Sequence, residues 1–280
     1  MDFVPNIDSS SLKLGESKML SQRIHFFELM DQTWWPHLLR QCMTEYLSFV
    51  ANKANLFASS AIRLSAALKK TNSHSLVDLC AGDGGLWISV QPQLSADTKV
   101  SKILLTDLHP SFTAENVTVT GLTVFEYVRE PVDALQVPSH LSGFRTLWNG
   151  FHHFTETQAV QILRDAVAAR TGIAIFEGTR RDIPSVLAMI LIVPLIVLFV
   201  TPLIRPFRLG RLLFTYLIPV LPLAIGFDGI VSCLRVYSPD ELRKLVAMAD
   251  AVGQYDWEIG EDKVEKHPAT ITYLIGTPKG

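Results

Sequence analysis

The sequence predicts an α/β fold built on a mainly parallel sheet, preceded by helices and interrupted by a hydrophobic helical hairpin. Three observations carry this expectation. Short β-like runs alternate with helix-like segments every 20–30 residues from Ser75 to Arg181. A Gly-rich turn, Ala81-Gly82-Asp83-Gly84-Gly85, follows the first apolar run. Two charge-free stretches, Ile183–Ile204 and Leu212–Phe227, then break the pattern before it resumes.

Taken in order, residues 1–20 are polar and Ser-rich and are expected to be mobile. Apolar residues recur at helical spacing from Ile24 to about Ala67, and Pro36 is expected to divide two helices there. The runs SLVDLC, LWISV, KILLTD, LTVFEYV, FRTLW and GIAIFEG read as strands, and ETQAVQILRDAVAAR as a helix closed by Gly172. SPDELRKLVAMAD opens with a Ser238 N-cap and an acidic first turn, and YDWEIG and TITYLIGTP read as a final antiparallel pair. The chain divides into an N-terminal helical lid (1–70), a core (71–182), a hydrophobic insertion (183–234) and a C-terminal helix and strand pair (235–280) that completes the core.

Bulk properties narrow the function. A formal net charge of −2 argues against nucleic-acid binding driven by bulk electrostatics. Three scattered cysteines, with no Cys/His metal spacing, predict neither a disulfide framework nor a metal centre. The N-terminus lacks the basic and apolar segments of a secretory signal, so the core is expected in the cytosol. Mean hydropathy is +0.25, with 48% apolar residues, which points to an unusually greasy stretch.

The chemistry centres on Val77-Asp78-Leu79-Cys80-Ala81-Gly82-Asp83-Gly84-Gly85 and, 29 residues beyond Asp78, on Ile103-Leu104-Leu105-Thr106-Asp107. Each apolar strand ends in a carboxylate. A carboxylate beside a Gly-rich turn repels pyrophosphate and suits a cationic ligand, and a carboxylate after the second strand suits ribose hydroxyls. These segments resemble motifs I and II of the class I S-adenosylmethionine-dependent methyltransferases of the Rossmann-like, small-molecule type. Cys80 stands where that family usually has its first glycine. Glu130-Pro131-Val132-Asp133-Ala134 resembles motif III, and Trp148-Asn149-Gly150-Phe151-His152-His153 resembles motif IV.

The resemblance implies a seven-stranded sheet, S-adenosyl-L-methionine as cofactor, and contacts to it from Asp78, Cys80, Ala81, Gly82, Gly84, Asp107, Leu108, Asp133, Ala134 and Asn149. His152 and His153 are the candidate catalytic bases, and the resemblance leans His153 towards a structural role. Trp34, Trp35, His109, Phe151 and Glu177 are the candidate substrate pocket, and Phe26 and His25 are further candidates. Other chemistry of the same cofactor, aminocarboxypropyl transfer or cyclisation, is one alternative. A non-catalytic membrane scaffold with a vestigial pocket is another.

The insertion, residues 183–227, is expected to associate with the cytoplasmic face of a membrane, as a shallow re-entrant or a two-span hairpin. Arg205, Arg208 and Arg211, between its apolar halves, are expected at lipid phosphates. The expected acceptor is a lipophilic small molecule or lipid. The sequence does not indicate an oligomeric state.

Overall fold

A computed structural model describes Leu20 and residues 22–110, 117–120, 123–265 and 267–280. The expectation for residues 1–20 therefore lies outside the described residues, apart from Leu20. Eight strands form one sheet: β1 (Ser75–Leu79), β2 (Lys102–Leu105), β3 (Val117–Thr120), β4 (Thr123–Tyr127), β5 (Phe144–Trp148), β6 (Ile173–Glu177), β7 (Tyr255–Lys263) and β8 (Thr270–Pro278). Their order is β3-β4-β2-β1-β5-β6-β8-β7. The five central strands β4, β2, β1, β5 and β6 are parallel, β8 is antiparallel to β6, and β7 and β8 pair as the expected hairpin. The seven expected strands are joined by β3, an antiparallel edge strand on β4 whose Thr-Val-Thr pattern is too short to read in isolation.

LWISV is not a strand. Trp87–Val90 is a helix, α3, on the crossover between β1 and β2, and parallel neighbours cannot be joined without such a crossover.

Helices cover both faces of the sheet. α1 (His37–Lys53) and α2 (Ala58–Lys70) precede β1, α4 (Glu156–Ala168) joins β5 to β6, and α9 (Pro239–Ala249) precedes the hairpin. One face buries Leu64, Leu76, Ile103, Phe144, Phe176 and Ile271. The other buries Val77, Leu147, Ile162, Leu163, Ile175 and Leu242. The capping boxes Thr155–Gln158 and Ser238–Glu241 fix the starts of α4 and α9. Gly172 does not close α4, because Arg170 takes the left-handed conformation there. Gly172 instead lies against Phe144, whose ring would be 2.2 Å from an added Cβ.

Residues 22–35 are an irregular arm rather than a helix, and α1 begins just after Pro36. The arm satisfies its backbone elsewhere: Ile24 N donates to Leu234 O, and Leu29 N and Met30 N donate to the Asp228 carboxylate.

The apolar insertion folds as α5 (Ile183–Leu191), α6 (Val193–Val200), α7 (Leu209–Leu212) with a π-helical turn over Leu213–Leu217, and α8 (Val220–Arg235). Among the described residues, no single helix is long and apolar enough to cross a membrane. The first charge-free run, long enough by composition, bends by 41° where α5 meets α6, and the second bends by 81° ahead of α8. The inner faces of these helices pack with α1 around Met43, Tyr46, Val197, Ile204, Leu221 and Ile225. Arg208 and Arg211 are not turned outward. Both pair with the buried Glu45 of α1, and Arg211 is almost fully buried, so Arg205 alone of the three is exposed. A buried carboxylate is costly without cationic partners, which explains why it captures these two.

Candidate active site

The carboxyl ends of β1, β2 and β5 open onto a cavity of about 1080 Å³. Open α/β sheets bind ligands at this edge. The Gly-rich turn after β1 is built from left-handed residues: Cys80 at φ +57°, Gly82 at +59° and Gly84 at +70°. An added Cβ at Gly84 would lie 2.5 Å from Leu105 Cδ1, so the turn needs glycine there for both space and conformation. Cys80 adopts the left-handed geometry without being glycine, and so preserves the turn its position demands.

Asp107 closes the turn. Its Oδ2 accepts from Gly82 N at 2.9 Å and its Oδ1 from His109 N at 2.8 Å. Cys80, Ala81, Gly82, Asp107, Leu108, Asp133, Ala134 and Asn149 all line the cavity. Asp133 is exposed and its Oδ1 accepts from Leu135 N, while Asn149, at φ +50°, accepts from Gly178 N through Oδ1. Gly84 supports the turn from behind rather than lining the cavity.

Asp78 departs from its expected role. It shares the sheet edge with Asp107 on the adjacent strand, but its carboxylate is buried and does not reach the cavity. Its Oδ1 accepts from Thr146 Oγ1 at 2.6 Å and its Oδ2 from Trp87 Nε1 at 2.8 Å. Burial pushes its pKa up to about 7, against the pull of these two donors. Asp78 ties β1 to β5 and α3, and so holds the turn in place rather than gripping a ligand.

The two histidines stand at the other end of the same cavity, on a short 3₁₀ turn after β5. His152 is buried, and its Nδ1 lies 2.6 Å from Glu177 Oε2. The other Glu177 oxygen accepts from Phe151 N and His152 N. Burial opposes ionisation of Glu177, but the His152 ring and these donors hold its pKa below the usual range. Glu177 thus fixes the His152 ring from behind and directs Nε2 towards the cavity, where Glu28 Oε1 lies at 3.7 Å.

His153 has different neighbours. Its Nδ1 sits 2.7 Å from Asp31 Oδ1, an ion pair poorly aligned as a hydrogen bond, and 3.7 Å from Glu28 Oε2. Burial alone lowers its pKa, but the Glu28 and Asp31 carboxylates outweigh it and raise the value to about 9. His153 is therefore cationic at neutral pH.

Sequence reading missed Glu28, Asp31, Asp228 and Arg235. Arg235 Nη1 bridges Glu28 and Asp31 at 3.3 and 2.7 Å, and its Nη2 donates to His153 O. The ligand-capable atoms of Glu28, His152 and His153 lie within 4.8 Å of one another, a cluster that chain spacing could not reveal. Arg235 supplies fixed positive charge against Glu28, and the trio reads as a charge network rather than a metal centre. The signal for the three acids was present: acids in the aromatic FFELMDQTWW and one directly after the second charge-free run are expensive unless partnered.

The other pocket candidates separate. His109 lines the cavity at its exposed rim, and Phe26 and His25 line it from the arm. Phe151 does not, because it is fully buried in the core between the sheet and α4. Glu177 lies behind His152 and also does not face the cavity. Trp34 is exposed and Trp35 packs on the insertion cluster, so neither forms a lid. Their place is taken by Phe26 and Phe27, which pack against Phe227.

No family model matches this chain, and no curated protein matches it. Solved structures do resemble it. The plantazolicin methyltransferase BpumL, in complex with a monoazolic desmethylPZN analog and SAH, superposes with a TM-score of 0.54 at 9% identity, over 90% of this chain and 95% of its own. The plantazolicin methyltransferase BamL, in complex with a triazolic desmethylPZN analog and SAH, gives 0.54 at 12% identity, over 90% and 95%. The chain has the α/β, Rossmann-like fold of the class I S-adenosylmethionine-dependent methyltransferases.

Proposed function

We propose that this protein transfers a methyl group from S-adenosylmethionine to a hydrophobic small molecule or lipid at the cytoplasmic face of a membrane. One observation carries the reading: a single cavity joins the Asp107 edge, the oriented His152 and the inner wall of the apolar insertion. The residues present fit the cofactor. Gly82 and Ala81 leave the backbone open beside Asp107, whose carboxylate suits ribose hydroxyls, and Asp133 stands further along the edge, where an adenine amino group would find an acceptor.

When bound, the cofactor supplies an electrophilic methyl on a sulfonium. The protein's own contribution is alignment, exclusion of water and movement of a proton. His152 Nε2 is the atom placed to take a proton from a hydroxyl acceptor. Glu177 keeps the other ring nitrogen protonated and stabilises the imidazolium that forms. His153, already cationic, is unsuited to that task and instead holds the arm through Asp31.

The insertion supports the membrane part of the reading. Fifteen of the twenty-six exposed large apolar side chains among the described residues fall between Ile183 and Leu223, a concentration that supports docking of this segment on an apolar surface. The bent helices favour shallow entry over spanning. The test is to incubate membranes containing the protein with methyl-labelled cofactor and identify labelled, organic-soluble product by mass. Label that requires His152 and Asp107 supports the assignment. Label unchanged in Asp107→Ala protein refutes the site, and a wholly soluble protein in lysates free of detergent refutes the membrane part.

A further inference from the structure

A second hollow, of about 600 Å³, lies between α1, α3 and the segment that joins α6 to α7. It backs onto the cofactor cavity across Glu45, Ser48 and Asp83, which line both. Its floor is tied down. Ser48 Oγ donates to Asp83 Oδ1 at 2.7 Å, Asn52 Nδ2 donates to Gly85 O at 2.7 Å, and Glu45 is held by Arg208 and Arg211. The charges of the floor balance: two arginines stand against Glu45 and Asp83. The rim carries two further cations, Lys53 at the end of α1 and Arg205 ahead of α7. Both are exposed, and neither has a carboxylate partner among the described residues. Exposed Ile88 and Leu203 line the same hollow, and Leu203 belongs to the apolar face of the insertion that also exposes Phe199 and Phe207.

We propose that this hollow seats the phosphate of an anionic phospholipid between Lys53 and Arg205, with Leu203 and Ile88 against the start of its acyl chains. The inference rests on the membrane part of the proposed function and names the lipid the insertion docks against. Two cations beside an exposed apolar face match a phosphodiester at the boundary of a bilayer, where each basic side chain gains by approaching an anionic surface. A choline head brings its own cation against Lys53 and Arg205 and so gains less. The apolar lip favours a lipid over a free phosphate ester, which leaves Leu203 and Ile88 in water. The net charge of the chain is −2, so its bulk charge opposes approach to an anionic surface, and a gain there has to come from a local site.

The test floats the full chain with vesicles of phosphatidylcholine alone and of phosphatidylcholine mixed two to one with phosphatidylglycerol. Phosphatidylglycerol is expected to strengthen partitioning by about tenfold to thirtyfold, a gain that shrinks as salt is added. Lys53→Gln/Arg205→Gln loses that gain and still floats with phosphatidylcholine; both side chains are exposed and unpaired, so the fold is kept. Arg243→Gln/Lys244→Gln removes the same charge from α9, which packs on the opposite face of the sheet from α3, and keeps the gain. Calorimetry with glycerol 1-phosphate is expected to show binding no tighter than about millimolar. Micromolar binding of that soluble ester assigns the hollow to a free phosphate and overturns the lipid. Equal flotation on the two vesicles, or a gain lost as fully in the α9 variant, overturns the site while the membrane reading stands. Flotation on neither vesicle overturns both.

Discussion

Replacing Phe199 and Leu217 together by serine tests how the insertion meets a membrane. Both side chains lie on the outer face of the insertion, 78% and 77% exposed. Burying a whole Phe or Leu side chain is worth about 1.5–3 kcal/mol. Scaled by these exposures, each contributes about 1.2–2.3 kcal/mol on entering the acyl region, so the pair contributes about 2.4–4.6 kcal/mol. At 1.4 kcal/mol per decade, the double variant should partition onto vesicles about fifty-fold to two-thousand-fold more weakly than wild type. Its thermal stability should hardly change, because surface side chains without partners affect folding by about 0.5 kcal/mol or less. Flotation with neutral phosphatidylcholine vesicles reads the partitioning, and scanning calorimetry reads the fold. Equal flotation of the two proteins, or no flotation of wild type, would refute the reasoning.

Further outcomes follow from the same geometry. Glu177→Gln removes a charge-assisted hydrogen bond worth about 1.5–3 kcal/mol and offers His152 Nδ1 an amide donor, so turnover should fall by about tenfold to a hundredfold or more with the KM for cofactor little changed. Unaltered turnover would remove His152 as the base. Asp78 has a folded pKa, about 7, above its unfolded value, so the fold holds its proton more tightly. Its contribution to stability is complete below about pH 4 and declines as pH rises towards about 7. Asp78→Asn, with Oδ1 accepting from Trp87 and Nδ2 donating to Thr146, should flatten that decline in denaturant titrations of the cofactor-free protein. A decline of unchanged slope would show that another group causes it. Cys80→Gly should relieve about 1–2 kcal/mol of left-handed strain and leave cofactor binding intact, whereas Cys80→Val should destabilise the turn, both read as shifts in melting temperature.

The succession of strands and helices along the chain and the strand-end placement of the candidate cofactor residues were legible in the sequence because both are local. A strand, a carboxylate and a glycine turn sit within ten residues of one another, and Asp107 repeats the strand-end pattern one β-α step later. The helix start at Ser238 was equally local, as its capping box confirms. Three features were not local. The role of Asp78 depends on Trp87 and Thr146, which fold around it from α3 and β5. The difference between His152 and His153 depends on Glu177 for one and on Asp31 for the other, with Glu28 between them, so two adjacent histidines acquire different partners. The arginines between the apolar runs looked free for lipid phosphate until Glu45, far away on α1, claimed two of them.

The central claim is that the Asp107 edge, rather than Asp78, holds S-adenosylmethionine. Titration calorimetry of the cofactor into wild-type, Asp107→Asn and Asp78→Asn proteins tests it most directly. Saturable binding to wild type is expected, about tenfold or more weaker in Asp107→Asn and much less affected in Asp78→Asn. No binding to folded wild-type protein, or a greater loss in Asp78→Asn than in Asp107→Asn, would contradict it.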